Sequence, residues 1–78
     1  MKNTIIVCEY GWILVGKAER HASETLILTD ASVVRRWTNG KGIGGLAKEA
    51  NKDEYTLDEV GGVSINTSKI LFEIPCEW

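Results

Sequence analysis

Seventy-eight residues, 44% of them apolar, describe one globular domain spanning 1–78 and exclude a disordered tail. A formal charge of −2 with acids and bases interspersed excludes the strong basic field that a long nucleic acid selects for. No apolar run reaches membrane-spanning length, and Met1-Lys2-Asn3 leads into a strand-like run without a signal pattern, so no membrane partner and a cytoplasmic location are expected.

In chain order, Thr4–Cys8 reads as a strand, dense in the β-branching of Ile5, Ile6 and Val7. A second strand is expected over 12–15, with Gly11 and Gly16 marking its ends, and polar 17–24 reads as a surface hairpin or loop. A third strand over 25–29 precedes Asp30-Ala31-Ser32 as a turn, after which Val33 and Val34 extend to Arg35, Arg36 and Trp37. Ile43, Leu46, Ala47 and Ala50 recur at helical spacing and predict one short helix, weakened at its start by neighbouring glycines. Tyr55-Thr56-Leu57 suggests a further strand, Gly61-Gly62 a sharp reversal, and Val63-Ser64-Ile65 and 70–74 the last strands, stopped by Pro75. The expected fold is α+β: a small antiparallel β-sheet or partly closed barrel with one short helix.

Cys8 and Cys76 lie in apolar stretches near opposite ends and read as buried thiols; they make neither a zinc site nor a redox pair, so no metal and no cofactor is expected. His21 has no nucleophile or second histidine at a recognisable spacing, and Asp53, Glu54, Asp58 and Glu59 read as a solvated face. No catalytic residue is assigned, and binding is favoured over catalysis.

The segment from Arg35 to Gly45 carries most of the functional information. It sets three cations, an indole and four glycines just ahead of the helix. Glycines let backbone N–H groups converge, and first-turn amides have no intrahelical acceptor, so Lys41, Gly42, Gly44 and Gly45 are candidates to face phosphate. The pattern matches neither the P-loop nor the dinucleotide fingerprint. Arg35 and Arg36 alternate along an extended chain, so one of them is expected to face a given pocket; an arginine there pairs with phosphate or stacks on a base. Trp37 and Thr38 complete this set, and Tyr10 and Trp12, flanking Gly11, form a second aromatic cluster able to wall a ligand. The competing structural explanation has Trp37 packing in the core, both arginines reaching solvent and the glycines relieving a tight connection.

Asp30-Ala31-Ser32-Val33-Val34-Arg35-Arg36-Trp37-Thr38, then Leu46-Ala47 and a Phe72-Glu73-Ile74-Pro75-Cys76 ending, resemble a small uncharacterised family of bacteriophage and prophage genomes. Its members carry a run like Asn-Ala-Arg-Arg-Ile-Trp-Tyr-Trp-Ser-Gly-Ala-Ala-Ser-Leu-Ser-Gln-Leu-Ala and an Ile-Pro-Cys ending. The family's arginine pair falls on Ser32 and Val33 here, while Arg35 and Arg36 stand where it has aromatic residues. The resemblance implies a counter-defence role in the host cell cytoplasm. With the local composition, it suggests an oligomeric sponge that sequesters a phosphorylated or cyclic nucleotide signal. A homo-oligomer is also expected because so short a chain buries only about 60–65% of its surface on folding. The alternatives are a protein–protein inhibitor of a host factor, anchored by exposed Trp12, Trp37 and Trp78, and a small nucleotide hydrolase.

Overall fold

A computed structural model describes residues 2–37, 40–50 and 53–78. The strands are β1 (Thr4–Cys8), β2 (Ile13–Ala22), β3 (Thr25–Trp37), β4 (Tyr55–Asn66) and β5 (Ile70–Pro75). One helix, α1 (Gly42–Lys48), lies between β3 and β4, and 3-10 turns at Glu9–Gly11 and Thr67–Lys69 join β1 to β2 and β4 to β5. The five strands form one antiparallel sheet in the order β4-β3-β2-β1-β5. The antiparallel sheet with one short helix is thus as expected.

Three segments differ from expectation. Polar 17–24 does not loop out; β2 runs through it to Ala22, where the chain reverses at Ser23 and Glu24. Its polarity reflects Glu19, Arg20 and His21, three consecutive exposed residues at the end of the strand, after half-buried Lys17 and Ala18. Asp30-Ala31-Ser32 does not turn the chain either but sits within β3, where the pairing with β4 shifts between Leu28 and Ala31. Asp30 takes φ 50°, a left-handed conformation that aspartate tolerates better than most residues. Gly61 and Gly62, expected to reverse the chain, lie inside the continuous strand β4, with Gly61 at φ 77° opposite Ala31. These shifts bend the long strands together. Gly16 marks the same place on β2: a Cβ there would stand 3.0 Å from both the Ala31 Cα and the Thr29 carbonyl oxygen, so only glycine permits that approach.

The bend gives the sheet two apolar clusters. On one face Ile5, Val7, Val15, Val34 and Tyr55 pack with Leu46 and Ala47 of α1 and with Cys76. On the other, Ile6, Cys8 and Leu14 pack with Leu26, Leu28, Ala31 and Ile65 from the far halves of β3 and β4. Arg20 of β2 reaches over to pair with Glu73 of β5.

The helix stops at Lys48, two residues short of Ala50, which lies outside it and is exposed. Its last carbonyls, which no helix satisfies internally, are taken up by neighbours. The Glu49 N–H donates to Gly45 O at 3.2 Å, Trp78 Nε1 to Leu46 O at 2.6 Å, and the Glu77 N–H to Ala47 O at 2.7 Å. The Asn3 N–H donates to Trp78 O at 2.7 Å, so the chain's end ties β1 and the helix into one unit.

Candidate functional site

The period-2 alternation of strands assembles a site on the face away from α1. Val33 pairs with Leu14 on β2 and with Asp58 on β4, so these three side chains share a face. Trp12 lies two residues before Leu14, Arg35 two after Val33, and Val60 two after Asp58. Trp12 and Arg35 extend that face toward one end of the sheet, and Val60 extends it the other way, toward Ala31. Tyr10, Gly11, Trp12, Arg35, Asp58 and Val60 line an open concavity of about 500 Å³. A contiguous apolar groove of about 480 Å³ passes beneath Tyr10 and Trp12 over Cys8, Leu14, Val33 and Val63 to Lys69.

Arg35 and Arg36 do not alternate. The β3–β4 pairing shifts between Val34 and Arg36, leaving Arg35 as the extra residue, while Arg36 pairs with Thr56 and Trp37 with Tyr55. Thr56 is two residues before Asp58, so Arg36 also faces away from the helix, and both arginines line one recess with Thr56. Arg35 therefore belongs to the aromatic concavity and to the arginine recess together. Its Nη1 lies 3.3 Å from Asp58 Oδ2, an exposed pair of small energetic weight.

The two aromatic residues are open to solvent, Tyr10 being 96% and Trp12 59% exposed. Tyr10 also takes φ 62°, ahead of Gly11 at φ 80°. A bulky residue in the left-handed region is uncommon. Nothing in the core rewards it here, because the ring is almost wholly exposed.

The remainder of the sequence-singled segment lies on the helix side. Trp37 is half-buried against the core, its ring centroid 6.3 Å from that of Tyr55. Tyr55 Oη donates to Gly42 O at 2.6 Å. A Cβ on Gly45 would fall 2.6 Å from Lys41 Cβ and 2.7 Å from Tyr55 Oη. The Gly45 N–H donates to Lys41 O at 3.3 Å. Gly45 thus admits the Tyr55 hydroxyl and the Lys41 stem, in line with the structural explanation of the glycines. Gly44 is exposed, and none of Lys41, Gly42, Gly44 and Gly45 lines the concavities above. Thr38 lies outside the described residues.

Of the three tryptophans expected to anchor a protein partner, Trp12 is the exposed one; Trp37 and Trp78 are half-buried. Cys8 and Cys76 are buried free thiols, and burial is the main cause holding both above the ordinary value of 9.0. His21 is exposed, 3.7 Å from Glu19. Among the described residues no group of three His, Cys, Asp or Glu stands together as metal ligands, and no helix is long and apolar enough to cross a membrane.

Sequence reasoning missed Thr56, Asp58 and Val60. Their period-2 spacing was a usable signal, but it appears only when the strand expected over Tyr55-Thr56-Leu57 is continued to Val60. No protein-family model, no curated protein and no solved structure matches this chain.

Proposed function

We propose that this protein binds a small phosphorylated or cyclic nucleotide without transforming it, and so withdraws the signal from solution. The observation that carries this reading is the concavity shared by Tyr10, Trp12 and Arg35, which Arg35 continues into the recess of Arg36 and Thr56. Exposed aromatic rings offer stacking faces, each worth about 1–3 kcal/mol per base. Arg36 and the Thr56 hydroxyl supply donors suited to phosphate oxygens. Its size is that of a small-molecule site. The phage resemblance supplies a purpose, the blunting of a host signal in the host cell cytoplasm. Calorimetry against cyclic di- and trinucleotides tests the reading: heat is expected with at least one member, and it should be abolished by Trp12→Ala and reduced several-fold by Arg36→Ala. No heat with any member refutes it.

A second reading is favoured by the apolar groove below Tyr10 and Trp12, whose size and lining also suit an apolar side chain of a host protein. Failure of the nucleotide panel together with capture of one host protein, lost in Trp12→Ala, would replace the first reading by this one.

The sheet is inferred to curl into a partly closed barrel. Its two edge strands, β4 and β5, are joined by only a three-residue turn, and the Arg20–Glu73 pair bridges β2 to β5. The chain is further inferred to be a homo-oligomer. Edge strand β5 carries Leu71 and Phe72, 63% and 50% exposed, and an edge bearing exposed apolar residues is a template for pairing with another copy.

A further inference from the structure

Asp58 is a feature of the outer face that an anion-binding role leaves unexplained. A carboxylate beside a phosphate site repels the ligand, yet Asp58 lines the same concavity as Tyr10, Trp12 and Arg35. It is half-exposed, and its Oδ2 lies 3.3 Å from Arg35 Nη1. The pair therefore presents an acceptor and a donor side by side at the edge of an aromatic platform.

We propose that the Asp58–Arg35 pair, set beside Trp12 and Tyr10, makes the site selective for guanine among the nucleobases. This rests on the nucleotide-binding reading. An ionised carboxylate accepts hydrogen bonds and donates none. Guanine presents two adjacent donors, N1–H and the N2 amino group, spaced to meet the two oxygens of one carboxylate. Adenine sets its N6 amino group between acceptors N1 and N7, which a carboxylate repels. Cytosine and uracil each offer less than two neighbouring donors on that edge. Arginine, for its part, suits the O6 and N7 acceptors of guanine. A base stacked on Trp12 lies in the plane from which both side chains are reachable only at its edge, so identity is read there while the phosphate is held by Arg36 and Thr56.

The test uses the full chain and three probes: cyclic di-GMP, cyclic di-AMP and cyclic di-IMP, whose hypoxanthine lacks the N2 amino group. The guanine compound is expected to bind at least roughly tenfold tighter than the adenine one, with the hypoxanthine compound between, as loss of a bidentate base contact implies. Asp58→Asn, at an exposed strand position, is expected to keep the fold and to close most of that gap. Equal affinity for the three probes overturns the selectivity while leaving nucleotide binding intact. A gap unchanged in Asp58→Asn overturns the role of Asp58. Absence of binding by all three, with none by guanine or adenine mononucleotides, overturns both the selectivity and the reading beneath it.

Discussion

Tyr10 holds a conformation that costs a bulky residue about 1–2 kcal/mol, and its exposed ring gains no burial in return. On the proposed reading, this strain serves to present a ring beside Trp12. Tyr10→Asn places a residue that accepts the left-handed region, so thermal unfolding should show unchanged or slightly raised stability, by up to about 1 kcal/mol, while nucleotide affinity falls. A loss of stability would mean that the ring packs after all. Neighbouring residues show where sequence reading reaches its limit. Trp12, Arg35 and Arg36 were identifiable as candidates from composition alone. That both arginines face one recess was not, because the bulge at Arg35 arises from how β3 pairs with β4, a segment some twenty residues away.

At the scale of elements, helix α1 is too short to hold its shape alone and depends on what its neighbours supply. Trp78, Glu77 and Glu49 satisfy its carbonyl end, and Tyr55 caps Gly42 from β4. Gly45→Ala should improve intrinsic helix propensity yet destabilise the protein by about 1–3 kcal/mol, because its Cβ displaces the Tyr55 hydroxyl and the Lys41 stem. Chemical denaturation reads this directly, and a neutral or stabilising result would remove the packing role given to Gly45. The apolar face of this helix was legible through Ile43, Leu46 and Ala47; its end was not, since the partners of its carbonyls come from the far terminus. Strand β1 was legible because β-branched residues crowd it. Strand β4 was read as two pieces because paired glycines signal a reversal, whereas here they allow a bend within one strand.

For the whole molecule, the sheet separates two jobs that the sequence presents as one segment. The face toward α1 uses Trp37, Lys41 and the glycines to hold the helix, and the opposite face gathers Trp12, Arg35, Arg36 and Asp58. The inferred oligomer belongs to this scale. Sedimentation velocity at micromolar concentration should show an assembly that Leu71→Lys combined with Phe72→Lys reduces to monomer. A wild-type chain sedimenting as a monomer would contradict the role of the β5 edge.

The central claim, a nucleotide site on the outer face, is tested most directly by titrating the best cyclic nucleotide against Trp12→Ala, Arg36→Ala and Lys41→Ala, each checked for folding by circular dichroism. The outer-face site predicts that Trp12→Ala abolishes binding and Arg36→Ala weakens it several-fold, while Lys41→Ala binds as the wild type. Loss of binding in a folded Lys41→Ala protein, with Trp12→Ala and Arg36→Ala unaffected, would contradict it and move the site to the glycines at the helix.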